Sequence, residues 1–432
     1  MSKTALVSHL GEYVDQEVSL QGWVNTFRSS GKIAFIEVRD GSGYVQAVLN
    51  LPQLDADSKR DFDNLSQESS ISLEGKVSKH PKKEGVYELQ ASSLRLIHKA
   101  LDYPIGKKEH GPDFLLQNRH LWLRSRTQWA IQRIRSTIIK ATYDFFFAED
   151  FIKIDSPIIT AAACEGTTTL FEFDYYDLGK AYLSQSGQLY LEAAIAAHRR
   201  VFDFGPVFRA EKSKTRKHLS EFWMMDAEMA FCDQNANMDL QEKLIMFIIE
   251  QVLKHNRQEL EMTGRNIAAL EKIKLPFPRI THTEAVKILR ERGSEITEGT
   301  DLGASDETLL ADIYDQPLFI ERWPARIKAF YMKRDPRDHN FVCCADLMAP
   351  EGYGELIGGS QREDNPELLV ERMKEEKMPL EEFDWYIDTR RYGSVPHAGF
   401  GFGLERLVFW LAGVEHIRET IPFPRMLYRM RP

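Results

Sequence analysis

The residues best equipped for chemistry in this sequence lie between Phe204 and Phe231. The run FGPVFRAE ends on Arg209 and Glu211, two apart and so on one face of an extended strand. Lys212 to Lys217 then carry four basic side chains in six, and His218 follows. A second β-like run returns with Phe222 and alternates acids with apolar residues through Asp226 and Glu228. Such a hairpin aims an arginine, a cluster of cations and an aromatic ring at one region. Cations hold phosphate oxygens and a ring offers its face to a base, so the arrangement suits a nucleotide. The loop alone reads equally well as a solvated basic turn.

Two later segments add complementary groups. In CADLMAPEGYGELIGGSQRED (344–364), Asp346 and Glu355 flank a glycine-rich turn. Paired carboxylates near a phosphate site commonly hold Mg²⁺; without the hairpin they would read as solvent-facing acids. In HAGFGFGLERLVFWLAG (397–413), Gly399, Gly401 and Gly403 share one strand face while Phe400 and Phe402 fill the other. A bare glycine face lets a flat ligand lie against the backbone, and also suits close strand packing. A helix starts near Leu404, with Leu404, Leu407, Val408 and Leu411 on its buried side. Arg406 falls in its first turn, where helix amides favour anions. No alternating βαβ pattern surrounds these glycines, and no GxxxxGK[ST] loop occurs, so neither common nucleotide fingerprint applies.

The elements that must carry these groups follow from patterning. Residues 1–100 read as an all-β unit. VSLQGWV, KIAFIEVRD, YVQAVLN, ISLEGKVSKH and VYELQASSLRLIH alternate or are β-rich, with turn residues Arg39-Asp40-Gly41-Ser42-Gly43 between two of them. Five short strands with glycine corners fit a small closed barrel of the OB type, whose exposed aromatics and arginines stack unpaired bases. Arg28, Phe35 and Gln46 sit where such a ligand would touch, although the pattern alone favours Phe35 in the core. Residues 101–125 mix Pro, Gly and charge and read as a hinge, leaving 126–432 as a second domain. From Gln128 to Asp150, Ile131, Ile134, Ile138, Ala141 and Phe145 make a helical apolar stripe, followed by a strand through FIKIDSP to Pro157. Residues 238–260 form a long amphipathic helix.

Composition narrows the setting. A 432-residue chain with 43% hydrophobic and 28% charged residues reads as a soluble globular protein with a large core. No apolar run is long enough to span a bilayer, and the first residues lack the apolar core of a signal peptide. Cys164, Cys232, Cys343 and Cys344 are too few and too irregularly spaced for a disulfide framework or a zinc site, which implies a reducing, cytoplasmic compartment. A net charge of −9 restricts any nucleic-acid surface to a local basic patch.

The helix and strand ending at Pro157, the FRAE hairpin with Phe222, and GFGLER ending at Arg406 occur in the order of the three motifs of class II aminoacyl-tRNA synthetases, and the chain resembles that family. The barrel before them is similar to the anticodon-binding domain of its aspartyl, asparaginyl and lysyl subgroup. YLSQSGQLY, APEGYGELIGGSQR and DTRRYGSVPHAGFGFGLERL resemble the asparaginyl branch. The resemblance implies an α+β fold, an OB-type barrel followed by a catalytic domain with an antiparallel sheet flanked by helices. It implies ATP-dependent attachment of asparagine to tRNA through an adenylate, with Mg²⁺, in a homodimer formed through the stripe of 128–150 and the strand ending at Pro157. Arg209 would bridge the ATP α-phosphate and the amino-acid carboxylate. Phe222 and Arg406 would sandwich the adenine, Arg406 and His218 would reach the outer phosphates, Glu211 would orient the cluster, and Gly401 and Gly403 would belong to the nucleotide site. Asp346 and Glu355 match the metal ligands. Glu165, Ser184, Gln185 and Gln188 match the amino-acid site, with Arg362 toward the side-chain carbonyl and Asp226 toward the amide. Arg28, Phe35 and Gln46 match contacts to the anticodon. Asp226 stands where asparaginyl members usually carry Glu and aspartyl members Asp. Leu191 stands where aspartyl members usually carry Lys. An aspartyl enzyme charging one or two tRNAs is the competing reading, and a catalytically inactive RNA-binding paralogue the third.

Overall fold

The computed structural model describes residues 3–106, 108–161 and 169–432. It divides into two compact units, Met1–Gly111 and Pro112–Pro432.

The first unit is the expected barrel. Strands β1 (Glu17–Ser30), β2 (Ile33–Arg39) and β3 (Tyr44–Asn50) form a meander, a helix α1 (Ala56–Asp63) follows, and β4 (Ser70–Lys79) and β5 (Tyr87–His98) complete the sheet. β3 pairs with β5 in parallel, β5 with β4, and β4 back with β1, which closes the barrel. Alternation fills it: Val18, Leu20, Ile36, Val38, Ala47, Leu49, Ile71, Leu73 and Leu89 all point inward and are buried. The turn after β2 is built by Asp40, whose carboxylate accepts from the amides of Ser42 at 2.9 Å and Gly43 at 3.0 Å, with Gly41 at φ +90° between them.

In the second unit the stretch expected as a hinge carries helices at Pro112–Gln117 and Arg119–Trp122. Arg119 is fully buried and donates to the carbonyls of Ile421 and Pro422, both at 2.8 Å, so residues from Pro112 onward are tied into this unit. Helix α2 (Arg126–Ala148) starts at a Ser125 cap. Its stripe of Ile131, Ile134, Ile138, Ala141 and Phe145 is buried.

The sheet that organises the unit has eight strands. In chain order they are β6 (Ile152–Lys153), β7 (Arg200–Phe208), β8 (Glu221–Ala230), β9 (Arg279–Thr281), β10 (Leu318–Glu321), β11 (Cys344–Ala349), β12 (Gly354–Gln361) and β13 (His397–Gly403). Their spatial order is β9-β10-β11-β12-β13-β8-β7-β6, antiparallel except at the β9–β10 and β7–β6 edges. Register sorts the side chains into two faces. Met225, Ala227 and Met229 of β8, Phe400 and Phe402 of β13 and Ile357 of β12 point to a core shared with α2, helix Gln234–His255 and helix Leu404–Leu411. Met224, Asp226 and Glu228 point the other way, opposite Gly403, Gly401 and Gly399 respectively. That second face is open and forms the floor of a cleft. Among the described residues no helix is long and apolar enough to cross a membrane, and Cys232, Cys343 and Cys344 are free thiols.

Candidate active site

The hairpin of β7 and β8 delivers the first wall. Its ladder runs from Arg200 opposite Met229 to Phe208 opposite Glu221 and continues through Arg209 N–H to Ser220 O at 3.0 Å. Arg209, Glu211, His218 and Phe222 thus enter a cleft of about 530 Å³, where they meet Gly401, Gly403 and Arg406. A Cβ on Gly403 would stand 3.5 Å from the Phe222 ring, whereas one on Gly401 or Gly399 would fall within 2.4 Å of Asp226 Oδ1 or 2.0 Å of Glu228 Oε2. The glycine stripe therefore serves two ends. At Gly403 it leaves a shallow face beside an aromatic ring, and at Gly399 and Gly401 it makes room for carboxylates from the next strand.

The end of the cleft lined by Phe222 and Arg406 has the polar character a nucleotide would need. Glu211 Oε1 is buried and has no hydrogen-bond partner among the described residues, an acceptor left waiting for a donor. His218 Nδ1 meets Thr215 Oγ1, and burial followed by the field of Arg406 lowers its pKa, so the ring is neutral at pH 7. Arg406, in the first turn of the helix Leu404–Leu411, reaches Glu355 Oε2 and its backbone carbonyl, each at 3.2 Å.

Asp346 and Glu355 both hang over Gly358, where a Cβ would lie 3.7 Å from Asp346 Oδ1 and 3.3 Å from Glu355 Oε1. The bare glycine thus leaves a gap spanned by two carboxylates, which fits one hard cation bridging to phosphate oxygens. In the ligand-free chain, Lys328 Nζ sits 2.5 Å from Asp346 Oδ2 and 4.1 Å from the centre of the Trp323 ring. Burial and then Glu355 push the Asp346 carboxyl up to about 6 even against Lys328, while Glu355, beside Arg406, is held below its usual range. Among the described residues no cluster of three or more His, Cys, Asp or Glu side chains exists for a metal, so a cation here would draw its remaining ligands from phosphate and water.

At the far end, Asp226 is buried. Its Oδ2 accepts from Gly187 N–H at 2.9 Å and Ser186 Oγ at 3.0 Å, at the start of helix α3 (Gln188–His198), and burial raises its pKa to about 6. Arg362 follows β12. Its Nε and Nη2 donate to Glu228 at 3.1 and 2.9 Å, and its Nη1 to Ser360 Oγ at 2.7 Å. The Tyr331 ring lies 5.3 Å from the guanidinium carbon. Gln188 lines the cleft beside Ser186. Ser184 and Gln185 are buried just before α3, and the Ser184 hydroxyl donates to Ser186 O at 2.9 Å. Glu165 lies outside the described residues. Leu191 does not reach the cleft; it packs with Ile195, Val201 and Ala230.

Sequence reasoning missed Glu228, Ser186 and Lys328. Glu228 was legible as an acid two residues from Asp226 on the same face, and Ser186 as the second residue of the run QSGQ (185–188). Nothing in the spacing marks Lys328, which approaches Asp346 from a loop.

On the barrel, Arg28 and Phe35 face each other across β1 and β2, the guanidinium 5.0 Å from the ring centre. Arg28 is exposed and Phe35 half-buried, so Phe35 belongs to the outer surface, while Ala34 and Ile36 point inward. Gln46 on β3 donates to Glu88 Oε1 at 2.8 Å. The barrel thus carries a cation, a ring and an amide on its outer strands.

Residues 111–427 match the family described as tRNA synthetases class II (D, K and N), and residues 18–97 match the OB-fold nucleic acid binding domain. The chain belongs to the class II tRNA synthetases of the D, K and N group. Within that group it is 56% identical over 430 residues to the asparagine--tRNA ligase of Desulforamulus reducens and 53% identical over 427 residues to that of Pelotomaculum thermopropionicum, covering 99% of each chain in both comparisons. Its fold matches the crystal structure of asparaginyl-tRNA synthetase from Pyrococcus horikoshii complexed with asparaginyl-adenylate, with a TM-score of 0.95 at 40% identity over 100% of both chains.

Proposed function

We propose that this chain uses ATP to form asparaginyl-adenylate and transfers the asparagine to its tRNA. The observation that carries the reading is the cleft itself, with a ring and cations at one end and, at the other, a buried acceptor, Asp226, beside a buried donor, Arg362. Adenine rests between Phe222 and Arg406 above Gly403. Arg406 and His218 contact the outer phosphates, and Glu211 orients a donor of this cluster. Arg209 bridges the α-phosphate and the asparagine carboxylate. The carboxylate attacks phosphorus in line, pyrophosphate leaves, and Arg209 stabilises the charge that builds on the α-phosphate oxygens. The 3′-hydroxyl of the terminal adenosine of tRNA then attacks the adenylate carbonyl, the anhydride C–O bond breaks and AMP leaves. Asp346 and Glu355 are the residues that would hold Mg²⁺, which when bound neutralises phosphate charge; Asp346 must exchange Lys328 for the cation.

Ser184, Gln185 and Gln188 form the amino-acid side, with Gln188 lining the cleft. The side-chain carbonyl of asparagine accepts from Arg362, and its NH₂ donates to Asp226 Oδ1, directly or through a water that makes up for the short side chain. An aspartate in the same pose would set a second carboxylate against Asp226. On the barrel, Phe35 and Arg28 stack anticodon bases and Gln46 supplies an edge contact. The enzyme is a cytoplasmic homodimer, joined not through the α2 stripe, which the chain buries itself, but through the edge strand β6 and the exposed Phe147, Ile152, Ile158 and Ile159 beside it. Amino-acid-dependent ATP–pyrophosphate exchange with asparagine, aspartate and lysine tests the reading: asparagine alone should support fast exchange. Exchange with aspartate at the same rate would replace it with the aspartyl reading.

A further inference from the structure

Behind the donor end of the cleft lies a charged side chain that the reaction scheme does not use. Glu192, on α3, is wholly buried. Its Oε1 accepts from Gln188 Nε2 at 2.9 Å, and its Oε2 meets Tyr386 Oη at 2.8 Å, His397 Nε2 at 3.1 Å and Arg390 Nη2. It also approaches Arg362 Nε at 4.0 Å, on a guanidinium already held by Glu228 at 2.9 Å. Burial opposes its charge, yet Arg390, His397 and Arg362 together hold it ionised, below the usual carboxylate range. A lone carboxylate at such depth would take up a proton; this one is clamped in the charged state by its neighbours.

The consequence concerns Arg362. Two carboxylates face one guanidinium, Glu192 held ionised and Glu228 bonded to it directly although burial raises the Glu228 pKa, and three of the guanidinium's donors are spent on Glu228 and Ser360. The N–H bonds left for the cleft can still serve an amide oxygen. The positive charge that would draw a carboxylate inward is offset from behind by Glu228 at 2.9 Å and further by Glu192 at 4.0 Å, which Arg390 also engages. We propose that Glu192 is a positioning and specificity-determining residue: acting through Arg362 and Gln188, it makes the pocket's cation behave as a neutral donor, so that a carboxamide is accepted and a carboxylate refused. The proposal rests on the asparagine reading above and adds a residue that never touches the substrate.

The idea also accounts for how firmly Glu192 is fixed. A group needed only to fill space would not require Tyr386, Arg390 and His397 from two further elements, the helix Asp384–Arg391 and β13. Glutamine at 192 keeps the volume and can keep hydrogen bonds to Tyr386, Arg390 and His397, since Gln188 can turn its own amide to match. What it removes is the charge.

Glu192→Gln is assayed by ATP–pyrophosphate exchange with asparagine and with aspartate at pH 7.5, folding being checked by circular dichroism. The ratio of kcat/KM for asparagine over aspartate should fall at least fivefold, chiefly through a lower KM for aspartate. A smaller change in the ratio, with both substrates weakened alike, overturns the proposal and leaves Glu192 a structural anchor. Should that variant fail to fold, Glu228→Gln removes the other carboxylate on Arg362 and is held to the same fivefold threshold. If the wild-type enzyme shows no preference for asparagine, the functional reading itself fails, an outcome distinct from a wild-type preference that neither variant moves.

Discussion

Replacing Asp226 with asparagine should stabilise the empty enzyme at neutral pH while weakening its grip on substrate. The carboxyl is buried, and it titrates at about 6 rather than at its ordinary 3.8. At about 1.4 kcal/mol per pH unit, keeping it ionised at pH 7 costs the fold about 3 kcal/mol. The sign follows from proton counting. Between pH 3.8 and about 6 the folded chain retains a proton that the unfolded chain has released, so this group lowers stability as pH rises through that window. Both donors to Asp226 converge on Oδ2, and a carboxamide oxygen can take the place of Oδ2 and accept from both, turning its NH₂ toward the position of Oδ1 above Gly401. Asp226→Asn should therefore melt a few degrees above wild type at pH 7.5, with the gap closing toward pH 4. The same change sets an NH₂ against the NH₂ of asparagine; loss of a charge-assisted hydrogen bond is worth about 1.5–3 kcal/mol, or roughly 10–100-fold in kcat/KM. Thermal melts across pH 4–8, with exchange kinetics on the same samples, read both effects. A melting difference that is absent at pH 7.5, or the same at pH 4 as at pH 7.5, would refute the reasoning.

Three further outcomes follow from the same geometry. Arg209→Ala should reduce asparagine-dependent pyrophosphate exchange by about 10²–10³-fold, because one preorganised donor on developing charge is worth about 2.7–4 kcal/mol; tRNA binding measured by filter retention should be unchanged. Phe35→Ala should raise the KM for tRNA, since a base stacked on an aromatic is worth about 1–3 kcal/mol, and should leave adenylate formation intact. Ile152→Asp places a charge on the edge strand β6: light scattering at micromolar concentration should give a dimer mass for wild type and a monomer mass for the variant, and wild type running as a monomer would remove the dimer proposal.

Much of this architecture was readable as patterning. The spacing of Ile131, Ile134, Ile138, Ala141 and Phe145 fixed α2, and the alternation of Gly399, Gly401 and Gly403 with Phe400 and Phe402 fixed which face of β13 meets the core. Periodicity reports which side of an element is apolar but not what covers it. That is why the α2 stripe suggested a partner subunit and proved to be covered by the chain's own sheet and helices. It is also why the pattern favoured the core for Phe35, which lies on the outer surface: one aromatic in a short strand fits either face until the register against β1 and β3 is known. The polar machinery behind the cleft was least legible. Glu192 and Arg362 are 170 positions apart in sequence and 4.0 Å apart in space. The Leu191 position drew attention as the site of a missing lysine, yet its side chain points into an apolar cluster and its neighbour Glu192 carries the charge. Lys328 reaches Asp346 from a loop with no repeat to betray it.

The central claim is that this cleft selects asparagine and delivers it to tRNA. The most direct measurement is a competition in one tube: enzyme, ATP, Mg²⁺, unfractionated tRNA and equimolar asparagine and aspartate, with the esterified amino acid released from tRNA and identified by mass spectrometry. The account predicts asparagine on the tRNA with aspartate at background. Aspartate recovered in comparable amount would contradict it.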